Sequence, residues 1–280
     1  MDINKPYRVG RTTINTAENG VVYLTFDLLE KAGVRHGFST RKGGVSKGIY
    51  ESMNLSFQRG DEFEHVLENH KLFADAVGYD YRDTVFSDQI HCTKIAKVTV
   101  EDKGRGMRGE KGIPEMDGLV TDIPGIPLMT FYADCVPLLF YDPVRSVIGA
   151  AHAGWRGTVA GMGKCMVDYL HDNMGCSREN ILAVIGPSIC MECYEVSGDV
   201  AEQFFEAFPE ENHSDILCRK ENGAYLLDLW KANRLILEGT GLKSGHIQSP
   251  DICTFHNPEL MISHRHTGGR RGNMAAVIML

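Results

Sequence analysis

The stretch from Val147 to Met174 constrains the fold more tightly than any other part of the chain. Val147 to Ala151 is an apolar run of strand length. It passes through His152-Ala153-Gly154-Trp155-Arg156-Gly157, a turn of mostly small residues, into a segment where Val159, Met162, Met166, Tyr169 and Leu170 recur at helical spacing. Thr158 is expected to cap that helix and Gly175 to stop it. A buried strand joined by one turn to an amphipathic helix requires a sheet with a helix packed on it, so the chain must combine both kinds of structure.

The remaining segments extend the pattern. Val21 to Leu28, Gly118 to Thr121, Ile181 to Ile185 and Ala275 to Met279 read as strands, and Leu128 to Tyr132 reads as a strand continuing into Leu138 to Tyr141. Phe63, Val66, Leu67, Phe73, Ala74 and Val77 mark a helix between Asp61 and Gly78, with Asp61 and Glu64 resembling a capping box. Val196 to Phe208 and Leu226 to Leu237 read as further helices, while Ser39 to Gly48 is a glycine-rich basic loop. A chain of 280 residues could form one large domain or two small ones. Without a repeat, low-complexity tract or linker, the simplest expectation is a single α+β domain over residues 1–280.

Composition narrows the function classes. A hydrophobic share of 43% and a charged share of 24% fit an ordinary folded protein. The polar opening from Met1 to Gly20 and the absence of a long apolar run disfavour export and membrane insertion. Eight cysteines scattered between Cys92 and Cys253 suit reduced thiols, so a cytoplasmic location is expected. The formal net charge of -8 argues against nucleic-acid binding, and the basic run Lys103 to Lys111 is expected to be a solvated loop.

Two potential ligands sit where apolar strands end: Cys135 in Ala133-Asp134-Cys135-Val136-Pro137, and His152. Taken alone, Cys135 reads as a buried core thiol and His152 as a hydrogen-bonded turn histidine. If their strands are neighbours, both emerge at one edge of the sheet among small residues that leave room for a close approach. His91, in Ser87-Asp88-Gln89-Ile90-His91, is a third candidate. Two imidazoles and a thiolate suit zinc, and three protein ligands leave one tetrahedral position open, as in catalytic sites that activate water near neutral pH.

These runs, together with Ser39 to Gly48, Asn54-Leu55, Asp117-Gly118-Leu119-Val120-Thr121, Gly186-Pro187-Ser188-Ile189 and Tyr194-Glu195-Val196, resemble the signature of the YfiH, or laccase-like, family over nearly the whole chain. The resemblance implies a layered α/β/β/α sandwich with His91, Cys135 and His152 as zinc ligands. It also implies a purine nucleoside enzyme that phosphorolyses adenosine, inosine and methylthioadenosine and deaminates adenosine. Some bacterial members are described as peptidoglycan-editing factors. The expected partners are a purine nucleoside and phosphate, with the protein a monomer or homodimer. Near the C-terminus the family tends toward Ser-Tyr-Arg-Arg, whereas this chain has Ser263-His264-Arg265-His266, and Asn273 follows Gly272. That departure leaves His264 and Arg265 as candidate lining residues and removes support for His266.

Within that resemblance Arg41 and Arg156 are candidates for gripping an anion, because a guanidinium binds phosphate oxygens as a fork. Arg156 also stands with the three ligands as a candidate catalytic residue. Lys42 to Gly48 could add backbone amides, Asn54, Gln89 and Ser188 are candidate substrate contacts, and Asp117 and Asp134 could orient the histidines or nearby backbone. A copper polyphenol oxidase is disfavoured because the chain holds one His-x-His pair, His264-Arg265-His266, although copper remains a possible occupant. Cys190-x-x-Cys193 reads as structural, lacking the second half of a zinc cluster. The rival class is a cysteine hydrolase with Cys135 as nucleophile and His152 as its base, for which His91 has no evident use, and a third class is a non-catalytic peptidoglycan-editing or interaction factor.

Overall fold

The computed structural model describes residues 7–107 and 111–280. Residues 1–6 of the polar opening and 108–110 of the basic run lie outside the described residues. Two sheets carry the fold. The first runs in the order Tyr7–Val9, Thr12–Thr16, Val22–Phe26, Arg35–Ser39, Met274–Met279, Leu128–Tyr132 and Val85–Phe86. The second runs Ile247–Gln248, Leu182–Ile185, Val136–Asp142, Val147–Ala153, Gly118–Thr121 and Ile95–Lys97. A small third sheet joins Glu195–Val196, Tyr225–Leu227 and Leu217–Arg219.

The strand sequences explain the layering. Along Val136–Asp142 successive side chains point to opposite faces, and both faces are apolar. Leu139 points inward, joining Ile148, Leu182 and Val184 against Phe38, Leu128 and Tyr132 of the other sheet. Leu138 and Phe140 point outward beneath the helices Met162–Met174 and Leu229–Gly239, meeting Met166, Leu170 and Leu237. On the far side of the first sheet, Met129 and Val277 pack on Phe73 of the helix Phe63–Val77. The result is an α/β/β/α sandwich in which each buried Leu, Ile or Phe contributes about 1.5–3 kcal/mol of transfer free energy.

Several expectations are corrected. Leu128 to Tyr141 is not one continued strand: Leu128–Tyr132 lies in the first sheet and Val136–Asp142 in the second. The chain crosses between them at residues 133–135, where Asp134 adopts φ 82°, a left-handed conformation no apolar pattern reveals. Thr158 does not cap the long helix. It lies inside a short helix, Trp155–Val159, and accepts a hydrogen bond from Asn233 (3.0 Å), while the chain re-enters a helix at Met162 after Gly161 at φ 77°. Asp61 forms no capping box either. Its carboxylate accepts from Ser46 Oγ (2.6 Å) and Asn54 Nδ2 (3.0 Å), and Glu62 occupies the cap position. Tyr225–Leu227 is a strand, and the helix expected there begins at Leu229, capped by Asp228. Gly78 and Gly175 do end their helices in the left-handed conformation.

Candidate metal centre and its cleft

The hairpin of the second sheet positions two of the three candidate ligands. Val136–Asp142 and Val147–Ala153 pair antiparallel with His152 opposite Pro137 and Ala153 opposite Val136, so Cys135 enters the sheet where His152 leaves it. His91 arrives from the bend after Val85–Phe86 with φ 65°. The ligating atoms of His91, Cys135 and His152 lie within 4.8 Å of one another, and the two imidazoles meet edge to face.

One buried carboxylate organises this meeting. Asp117 Oδ1 accepts from His91 N (3.1 Å) and contacts His152 Nδ1 (2.8 Å), while Oδ2 accepts from Ile90 N (2.9 Å) and Cys92 N (3.1 Å). With Nδ1 committed to Asp117, His152 turns Nε2 toward the cluster, the arrangement common to histidine ligands. Gln89 anchors the same bend to the first sheet: its side-chain oxygen accepts from Phe131 N (2.7 Å) and its nitrogen donates to Phe131 O (2.9 Å). Burial alone would raise the Cys135 thiol, but the imidazoles of His152 and His91 overcome it and hold the thiol down to about 6. Burial opposes charge on His152, and the Cys135 sulfur and the Asp117 carboxylate reverse that effect and raise it.

Gly154 closes over the cluster. A Cβ at this position would stand 3.0 Å from His91 Cδ2 and 3.1 Å from Cys135 Sγ, so a side chain here would press on two ligands at once.

The three residues form the floor of a cleft of about 610 Å³. Its walls carry four guanidinium groups, from Arg59, Arg156, Arg265 and Arg271, and aromatic surface that includes Phe57 and Tyr194. Arg271 is mostly buried, and burial together with the neighbouring Arg59 pulls it down to about 10. Its Nε has no hydrogen-bond partner among the described residues, although its Nη atoms reach Asn273, Gly272 O and His264. Arg156 stacks on the Trp155 ring at 4.2 Å, and Arg265 lies over Tyr194 while donating to Glu195 O (2.9 Å). Asp134 accepts from Arg265 N (2.7 Å) and Thr254 Oγ1 (2.6 Å), tying the wall to the residue beside Cys135.

The other sequence candidates separate clearly. Arg156 and Gln89 line the cleft, as do His264 and Arg265, whereas His266 lines a different, much smaller hollow. Arg41 borders that hollow too, and its guanidinium donates to Glu51 O and Pro258 O (2.8 Å to the latter). Asn54 is buried, donating to Asp61 and accepting from Ser56 N (3.1 Å) and Asn273 N (2.9 Å). Ser188 is likewise buried and accepts from Trp230 Nε1 (2.7 Å). The amides of the glycine-rich loop turn inward, Gly44 N to Ser52 Oγ (3.1 Å) and Val45 N to Asn69 Oδ1 (2.8 Å). Sequence reasoning missed Arg59, Arg271 and Tyr194, although Tyr194 belongs to the Tyr194-Glu195-Val196 run.

Layered fold and clustered histidine, cysteine and histidine side chains together define the class to which this protein belongs. Residues 35–280 match the family described as multi-copper polyphenol oxidoreductase laccase, and the chain belongs to that laccase-like family. The purine nucleoside phosphorylase YlmD of Bacillus subtilis is 40% identical over 244 residues, covering 86% of this chain and 87% of that protein. A purine nucleoside phosphorylase of Deinococcus radiodurans is 39% identical over 247 residues, covering 88% and 89%. The crystal structure of the Bacillus licheniformis hypothetical protein YfiH shares the fold with a TM-score of 0.88 at 37% identity, over 92% of this chain and 96% of that one. Among the described residues no helix is long and apolar enough to cross a membrane.

Proposed function

We propose that this protein is a zinc-dependent purine nucleoside phosphorylase acting on adenosine, inosine and methylthioadenosine, and that it also deaminates adenosine. The observation that carries this reading is the pairing of a three-ligand cluster with four guanidinium groups in one cleft. One thiolate and two imidazoles fit zinc, and three protein ligands would leave one position open. The single His-x-His pair, of which His266 lies outside the cleft, gives little support to multicopper chemistry. His91, Cys135 and His152 would hold the zinc, which would supply Lewis acidity in the cleft.

Phosphorolysis itself depends on the surrounding residues. A phosphate oxygen forms a bond to the ribose anomeric carbon while the bond to the base nitrogen breaks, and the base leaves with the electron pair and takes up a proton. Negative charge must be held next to a sugar that becomes cationic, which is a task of electrostatic positioning. Arg59, Arg156 and Arg271 supply the phosphate grip, each charge-assisted contact being worth ~1.5–3 kcal/mol. Tyr194 and Phe57 offer aromatic faces for the base. The relatives named purine nucleoside phosphorylase support the same reading. Elemental analysis combined with phosphate-dependent release of adenine and hypoxanthine from the nucleosides tests it, and zinc-loaded protein without phosphate-dependent turnover refutes it.

One observation favours a second reading. Cys135, His152 and Asp117 form a thiol–imidazole–carboxylate relay of the kind a cysteine hydrolase uses. A Cys135→Ser variant that keeps its full zinc while losing activity would select that alternative.

A further inference from the structure

Two short turns face each other beside the cleft. Cys190 and Cys193 stand at the two ends of the single helical turn Met191–Cys193, and Cys253 opens a second turn that closes at His256. A parallel bridge between Ser188 and Cys253, with Thr254 N donating to Ser188 O (3.1 Å), sets the two turns side by side. Cys193 Sγ then lies 3.0 Å from His256 Nε2, and Cys190 Sγ lies 3.7 Å from His256 Nδ1. All four ligand atoms fall within 4.8 Å of one another.

We propose that Cys190, Cys193, Cys253 and His256 form a second, structural zinc site separate from the cluster in the cleft. Tetrahedral zinc bonds sulfur at ~2.3 Å and nitrogen at ~2.1 Å, which sets sulfur and nitrogen about 3.6 Å apart and two sulfurs about 3.8 Å apart. The four atoms lie within 4.8 Å of one another, with Cys190 Sγ 3.7 Å and Cys193 Sγ 3.0 Å from the two nitrogens of the His256 ring, so small side-chain rotations bring them to those spacings. Three thiolates and one imidazole fill the coordination shell, so this site keeps no open position and does no chemistry on substrate. Cys190 N donates to Cys253 Sγ (3.3 Å), the amide-to-sulfur bond that stabilises a metal-bound thiolate. A divalent, thiophilic cation would take the place of the thiol protons and hold the three sulfurs as thiolates.

The position gives the site a purpose. Ile189 and Tyr194 flank the first turn and line the cleft, and Thr254 inside the second turn donates to Asp134, next to Cys135. A zinc clamp between the turns therefore fixes one wall of the cleft without touching what binds there.

Zinc content of protein purified under reducing conditions without chelator tests the proposal. Wild type is expected to hold about two equivalents per chain, Cys190→Ser/Cys193→Ser about one and Cys135→Ser about one. Cobalt substitution identifies the survivor: Cys135→Ser should keep strong thiolate-to-cobalt absorption from three sulfurs, while the double variant should show that of one. If the double variant does not fold, Cys135→Ser alone decides, because loss of all bound metal in that folded variant overturns the proposal. Intact mass showing a disulfide among Cys190, Cys193 and Cys253 in wild type as purified under reducing conditions, before any metal is removed, overturns it as well.

Discussion

Replacing Asp117 by Asn removes one charge and changes the volume little, yet the structure predicts a large effect. Oδ1 serves His91 N and His152 Nδ1, and Oδ2 serves Ile90 N and Cys92 N. An asparagine has one acceptor oxygen and one NH2 group, so in either orientation two donors face a donor. Each bond to the charged carboxylate is worth ~1.5–3 kcal/mol, so ~3–6 kcal/mol of support is withdrawn from the 90–92 bend and from the His152 ring. Part of this appears as lower stability of the metal-free fold and part as weaker metal binding. Loss of a carboxylate partner to a histidine ligand costs about 10- to 100-fold in metal affinity, or ~1.4–2.7 kcal/mol. Competition against a chromogenic chelator should therefore show zinc binding weakened by about 10- to 100-fold in Asp117→Asn, and urea unfolding of the metal-free variant should show destabilisation. Zinc affinity within about threefold of wild type would refute the role assigned to Asp117, since even the lower bound of the expected loss exceeds it.

Gly154→Ala should fold but bind zinc at least about tenfold more weakly, because its Cβ displaces His91 and Cys135 together; the same chelator competition measures this. Arg156→Lys should lower phosphorolysis of adenosine by about tenfold or more with unchanged zinc content, since an ammonium cannot reproduce the planar fork; rates measured against phosphate concentration test it, and an unaltered rate removes Arg156 from the site. His70 packs against both Phe57 and Phe86, contacts Leu55 O through Nε2 (2.8 Å) and is held down to about 4 by burial, from an ordinary value of 6.5. Because the unfolded chain takes up the proton first, its contribution is intact above pH 6.5 and is lost as pH falls toward 4, on the order of 3 kcal/mol in all. Urea unfolding of wild type and His70→Gln over that window should show a shallower decline in the variant.

The central site was legible in the sequence because its donors stand where apolar strands stop. Val147 to Ala151 identifies a buried strand, and a histidine immediately after it must emerge at a sheet edge. Cys135 is marked in the same way by Val136 to Tyr141, and the register joining them follows from their being one hairpin. The switch of sheets at residues 133–135 was hidden because it depends on the left-handed conformation of Asp134, while the flanking residues are apolar on both sides. Arg59 and Arg271 were hidden for a different reason. They stand in irregular loops, where no periodicity says which way a side chain faces, and only the packing of distant segments brings them to one cleft. The partners of Cys190 and Cys193 escaped notice because Cys253-x-x-His256 lies far along the chain and reads as an ordinary turn.

Met274–Met279 sits in the middle of the seven-stranded sheet, between Arg35–Ser39 and Leu128–Tyr132. During synthesis the segments on either side are therefore made long before the strand that joins them, and each presents an unpaired edge until residue 279 is available. Such edges invite pairing with other chains, and closure over so long a sequence separation is slow. The waiting chain is thus more prone to aggregate than the folded protein. A shortened product lacking those six residues should accumulate as insoluble material, even though every ligand in the cleft precedes the cut.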